Sequence, residues 1–336
     1  GNDFARLALS LGDRFKATEA VPQVSLVIYA CVKHWQHSVQ ESLEPLLIGY
    51  RTGMQVGEME YGLACAFRYA MAAIQSGKPL AALEAEVTVY AQQMKSHKQE
   101  FVRYNMLPFL QFVQNMLGRS ECPTQLTGAA MDEAAFLERC SEQDSPTIAC
   151  YMYVNKMKLA YFYGDIQLAA EMARKSRIIS ATAPGEFEVY NHAFFDALIA
   201  CEMAQGTKKR KWQTFAKRRL KSLKKAGRFA VENCEQKILL VEAELYALNK
   251  QKEKATKAFD NSISLAAKNG FISDEAMAHE RAWLFFDRIG DQFKSSHHYL
   301  RAYNCYLEWG AEGKAEQLYQ DQTKSGGRLV RNASAL

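Results

Sequence analysis

The sequence predicts an all-α fold, an α-solenoid of antiparallel helix pairs, and three observations predict it. Apolar residues recur at spacings of three and four along nearly the whole chain, the period of one helix face. No stretch alternates apolar and polar residues with the period of two that a half-buried strand needs. The breaks between periodic segments are short and carry helix start and stop signals, with 7 prolines and 19 glycines in 336 residues.

In chain order the helical segments run over 22–36, 38–54, 56–76, 79–96, 98–118, 131–142, 145–163, 165–179, 187–205, 208–232, 235–250, 252–269, 273–289 and 291–309. The third is the clearest: Tyr61, Leu63, Ala64, Phe67, Ala70, Met71 and Ile74 share one face. Gly77-Lys78-Pro79 ends it and opens the next, with proline in the first turn where its missing N–H costs nothing. Gly164-Asp165, Asn269-Gly270 and Gly290-Asp291 punctuate the later segments in the same way. The longer interruptions are 119–130 and 180–186.

About fourteen helices with short turns are too many for one bundle, so a repeat is expected. One of about forty residues is present in degenerate form. Ala255 and Phe259 correspond to Ser295 and Tyr299, Leu43 corresponds to Leu83, and Ala169 and Ala173 take the same small-residue places after Gly164. Small residues let paired helices approach closely, and aromatics plug the gap to the next pair. This is the packing logic of a tetratricopeptide-like superhelix with an exposed concave face. Length alone would suggest two domains at about 150 residues each, but the solenoid accounts for the pattern better. It is placed at 21–320, with a lead-in helix or linker at 1–20, a candidate sub-boundary at 119–130 and a flexible tail or linker at 321–336.

Composition bounds the function. Hydrophobic residues make up 48% and charged residues 24%, an ordinary globular balance. The longest uncharged apolar run near the start, Val24 to Val32, is nine residues, and Arg68 interrupts Leu63–Ile74. A bilayer needs roughly 18–20 such residues, so no transmembrane segment is predicted. The chain begins Gly-Asn-Asp rather than Met, which suggests a piece of something longer. Eight cysteines are scattered without a C-x-x-C pair and read as buried thiols of a cytoplasmic protein.

No motif announces chemistry. Gly310-Ala-Glu-Gly313-Lys314-Ala315 has neither the spacing nor the hydroxyl of a phosphate loop, and Gly77-Lys78 runs into proline. His279-Glu280-Arg281-Ala282-Trp283 lacks the second histidine of a zincin helix. His34 and His37 have no supporting cysteine or carboxylate, and neighbouring His297 and His298 point about 100° apart. No Gly-x-Ser-x-Gly elbow occurs. No catalytic, metal or cofactor residue is therefore assigned.

The sharp local feature is charge. The formal net charge is +5, from 42 Lys and Arg against 37 Asp and Glu. Residues 207–228 hold eleven basic residues and no acid: Lys208, Lys209, Arg210, Lys211, Lys217, Arg218, Arg219, Lys221, Lys224, Lys225 and Arg228. Without that segment 31 basic residues face 37 acidic ones, a balance of −6. Trp212, Phe215, Ala216, Leu220 and Leu223 form its apolar face. Such a helix could follow nucleic-acid phosphates, enter a calmodulin-like groove or lie on acidic lipid. It could equally bury its apolar stripe in the solenoid and solvate its charges, the reading the sequence favours. Without stacking aromatics on its basic side, nucleic acid is the disfavoured partner.

Several blocks together resemble a known family. They are His34-Trp35, Glu41-Ser-Leu-Glu-Pro-Leu-Leu47, Tyr50-Arg51, Gly53 and Gly57-Glu-Met-Glu-Tyr61 in the first half. In the second half they are Leu239-Leu-Val-Glu-Ala-Glu244, Ala266-Ala-Lys-Asn-Gly-Phe-Ile272, Glu275-Ala276, Glu280, Tyr303, Tyr306-Leu-Glu-Trp-Gly-Ala311 and Lys314. In order and spacing, 20–320 resembles the tetratricopeptide-like helical region of large AAA/STAND-type ATPase signalling kinases. There a protein-kinase-like domain and an ATPase precede the region, and GAF and histidine-kinase modules follow. In that family the helix matching 207–232 is also lysine-rich and ends near a cysteine, here Cys234. The resemblance implies a non-catalytic scaffold for protein–protein interaction or inter-domain coupling. ATP binding and phosphoryl transfer would then lie in flanking domains, and the partner would be a protein or those domains. The alternative is a polyanion-binding protein using 207–228.

Overall fold

The computed structural model describes residues 1–142 and 146–324. They form seventeen α-helices and no strand. In order these are α1 (Asn2–Phe15), α2 (Val21–Cys31), α3 (Leu43–Val56), α4 (Met59–Gln75), α5 (Leu80–Ser96), α6 (Glu100–Met116), α7 (Glu133–Glu142), α8 (Pro146–Phe162) and α9 (Ile166–Ser176). The second half comprises α10 (Ile179–Thr182), α11 (Phe187–Thr207), α12 (Arg210–Gly227), α13 (Val231–Leu248), α14 (Lys252–Lys268), α15 (Ile272–Arg288), α16 (Gln292–Trp309) and α17 (Glu312–Lys324). Successive helices pair through short turns, α3 with α4, α5 with α6, α8 with α9, α11 with α12, α13 with α14 and α15 with α16.

The Gly-Asp punctuation behaves as the sequence indicates, whereas Pro79 stands just before α5 as its N-cap rather than inside its first turn. Asp165 and Asp291 cap α9 and α16 by accepting from Leu168 N at 3.0 Å and Lys294 N at 3.2 Å. Ala169, Ala173, Ala255, Phe259, Ser295 and Tyr299 are all buried. Boundaries differ in three places. The segment expected over 22–36 stops at Cys31, and the next helix begins only at Leu43, with short 3-10 turns at Lys33–Trp35 and Val39–Ser42 between them. The helix expected over 208–232 ends at Gly227, so Cys234 lies in the first turn of α13 rather than closing the basic helix. A side chain at Gly227 would sit 2.8 Å from the Cys234 Cβ, so the chain turns where the two helices touch. Finally, α17 covers 312–324 with a sparse apolar stripe, Ala315 and Leu318. The part of the expected tail beyond 324 lies outside the described residues.

The solenoid coils tightly enough to close on its own axis. A half-open gap of about 60 Å³ is lined by Gln75 from α4, Phe112 from α6, Asn155 from α8, Asn191 from α11, Lys237 from α13 and Asp274 from α15. Those helices are covered on nearly every side; α6 and α11 bury polar as well as apolar positions along most of their length. The open concave face expected from the repeat is therefore filled by the protein itself. Segments far apart in the chain meet across the closure. A Cβ on Gly313, at the start of α17, would lie 2.6 Å from the Gly118 Cα beyond α6. Near the other end, Asn233 Nδ2 donates to the carbonyls of His34 and His37 at 2.8 Å each, and its Oδ1 accepts from Val39 N at 2.9 Å.

All eight thiols are free; six are buried, while Cys31 and Cys122 are half-buried. Burial pushes the thiols of Cys65, Cys234 and Cys305 up to about 12. No helix among the described residues is long and apolar enough to cross a membrane.

Two predictions follow from this packing. Asn233→Ala leaves two carbonyls and one amide of the 34–39 turn without their partner, and should cost about 3 kcal/mol in urea unfolding. Burial also holds His34, His192 and His298 down to about 4 and His279 to about 3. The unfolded chain binds these protons near pH 6.5 and the folded chain does not. The stability they supply is complete above pH 6.5 and should drain away as pH falls towards 4. His279→Gln should flatten that slope in pH-dependent unfolding.

Candidate functional site

The basic residues form a ridge. Lys208 and Lys209 occupy the turn between α11 and α12; Arg210, Lys211, Lys217, Arg218, Arg219, Lys221, Lys224 and Lys225 lie on α12, and Arg228 follows it. All are exposed except Arg219, which is half-buried. The helix forms because its apolar stripe has somewhere to go. Ala216 and Leu223 are buried, and Trp212, Phe215 and Leu220 pack partly buried against the core. Water takes the remaining charged faces.

Two of these cations work within the fold. Arg219 donates through Nε to the buried Asp196 at 2.9 Å, a carboxylate that also holds Arg177. Lys224 pairs with Glu242 of α13. Arg177, Arg218 and Arg219 lie 4.7, 5.1 and 5.0 Å from the Phe215 ring, which is thereby closed to a stacking base. No ion pair joins the rest of the ridge to an acid of the described residues.

At its N-terminal end the ridge borders a cleft of about 630 Å³. Lys208, Lys209 and Arg210 line it together with Lys250 from the end of α13 and Arg288 from the end of α15. Its floor is apolar, from Leu248, Phe285 and Ile289 among others, and no carboxylate lines it. Sequence reasoning missed Lys250 and Arg288, because only the superposition of helix ends gathers them. Lys208 and Lys250 have φ of 55° and 58°, the left-handed region that favours glycine.

A second surface was legible in the sequence but assigned to a lead-in. Helix α1 carries Phe4, Leu7, Leu11 and Phe15 at spacings of three and four, and they are 78%, 54%, 42% and 70% exposed. Nothing in the described residues covers this stripe. Of the histidines weighed as ligands, His34 is buried while His37 sits in the turn facing Glu41, with Nδ1 and Oε2 3.4 Å apart. His298 turns inward to His279, Nδ1 to Nδ1 at 3.0 Å. Among the described residues no group of three His, Cys, Asp or Glu is placed to hold a metal.

The backbone at the cleft gives a prediction that separates stability from recognition. Lys208→Gly and Lys250→Gly relieve a left-handed conformation and should each leave stability unchanged or raise it by up to about 1 kcal/mol. Both remove a cation from the cleft, so anion affinity should fall while thermal unfolding stays where it is or shifts upward.

No protein-family model matches the chain, and no curated protein matches it.

Proposed function

We propose that this chain is a non-catalytic helical-repeat module for protein–protein interaction or inter-domain coupling. On the resemblance of its blocks to the helical region of AAA/STAND-type signalling kinases, it belongs in a cytoplasmic multidomain ATPase/kinase. The observation that carries the reading is the uncovered apolar stripe of α1. Four large apolar side chains exposed along one helix face mark an interaction surface, which gains free energy when something covers it. A flanking domain or a protein partner supplies that cover. Because the axis of the superhelix is filled, recognition falls on outer surfaces, and the α12 ridge with its basic cleft offers a second one to an acidic segment.

The isolated chain should associate with rising concentration through α1, and joint replacement of Phe4, Leu7, Leu11 and Phe15 by serine should return it to a monomer in sedimentation. A chain that is monomeric at all concentrations, with or without those replacements, removes the reading. The ridge favours the polyanion alternative enough to name its signature. Affinity for a single-stranded oligonucleotide would fall steeply with salt and vanish on reversing Arg210, Lys217 and Lys221, which are exposed and outside the fold's own ion pairs.

A further inference from the structure

The outer face of α16 carries a second apolar stripe. Phe293, Leu300 and Leu307 stand seven residues apart and are 85%, 50% and 43% exposed. His297 and Asn304, also exposed, fill the places between them. Spacings of four and three put all five on one face, the seam of a helix that packs along another helix. The inner face is already used. His298, Tyr299, Ala302, Cys305, Tyr306 and Trp309 are buried, and α15 is the principal neighbour. No described residue covers the outer stripe.

The stripe on α1 is its counterpart. Phe4 to Phe15 rises about 17 Å and Phe293 to Leu307 about 21 Å, at about 1.5 Å per residue, so one helix can lie along the other. Charged residues decide the direction. At about 100° per residue, Asp3 and Arg14 border the α1 stripe on one edge, the acid near the start of the helix and the base near its end. On α16, Lys294 and Glu308 border the stripe on the opposite edge, the base first and the acid last. Two helices facing each other in parallel bring opposite edges together, so Asp3 meets Lys294 and Arg14 meets Glu308. An antiparallel pair would set Asp3 and Arg14 against Ser296 and Tyr303 instead. All four charges are exposed. Within the chain Asp3 holds only Arg6, at the surface, and Arg14, Lys294 and Glu308 form no ion pair among the described residues. Arg301, between Lys294 and Glu308, is held by Glu275 at 3.3 Å.

We propose that α1 of one copy of this chain docks in parallel along α16 of a second copy, covering both stripes and pairing Asp3 with Lys294 and Arg14 with Glu308. This rests on the reading of α1 as an interaction surface and names what that surface meets. The contact is heterologous: a copy whose α1 is engaged still offers its own α16, so further copies add head to tail. Seven apolar side chains make a small interface, and its affinity belongs to the weak, transient class. Such a contact gathers several copies, with whatever domains flank them, into one array.

The test is sedimentation of the full chain and its variants up to about 1 mM. Joint replacement of Phe293, Leu300 and Leu307 by serine should give a monomer, as should the serine replacements on α1. An equimolar mixture of those two variants should form a one-to-one dimer and nothing larger, because one keeps α16 and the other keeps α1. Arg14→Glu and Glu308→Arg should each weaken self-association by about fivefold, the scale of reversing an exposed ion pair. The chain carrying both changes should regain most of that loss. Both positions are exposed, so the charge exchange tests the contact even where the serine variants disturb folding. Self-association that survives the serines on α16 but not those on α1 would overturn α16 as the partner and leave the reading of α1 standing. A mixture that stays monomeric, or a double charge variant weaker than either single one, would overturn the pairing. A chain that is monomeric throughout would remove both.

Discussion

Much in this protein answers to one constraint: six inner helices are largely wrapped by the rest of the chain, so many of their polar groups are cut off from water. A buried charge without a partner costs several kcal/mol, on the order of 3–5 when one member of a pair is removed. The structure meets that cost with pairs drawn from distant segments. Arg68 of α4 reaches Glu186 just before α11, where Tyr151 of α8 also donates. Lys237 of α13 meets Asp274 of α15, which also accepts from Gln236 at 3.1 Å. Arg281 of α15 joins Glu244 of α13 and Glu202 of α11. Each links helices from different pairs, and together they fix how the pairs stack.

The same wrapping decides where recognition can happen. A solenoid with an open axis offers its concave face; here the inner helices converge, with a half-open gap of about 60 Å³ between them. Binding capacity moves to the periphery, to the stripes of α1 and α16, the ridge of α12 and the clefts between helix ends. The basic cleft has its sign because the lysine and arginine ends of α11, α13 and α15 converge on it.

Much of the fold was legible along the chain. Periodicity and Gly-Asp punctuation located most helices within a few residues, because a helix face and a cap are local properties. Helix α17 escaped, since Ala315 and Leu318 make too thin a stripe to register without their neighbours. The basic ridge was legible as composition, yet Arg219 could not be told from Arg218. One holds Asp196 and the other faces water, a difference set by a carboxylate 23 residues away.

By itself, then, the sequence determined an all-helical chain, its pairing of helices and one strongly basic segment, because these depend on spacings of a few residues. Only the tertiary structure decided that the superhelix closes on its axis and that Lys250 and Arg288 join the basic cleft. It also decided that Phe293, Leu300 and Leu307 face water instead of a neighbouring helix. Those outcomes depend on which helix ends meet across the closure, and that is set by long-range packing at contacts such as Gly118 with Gly313.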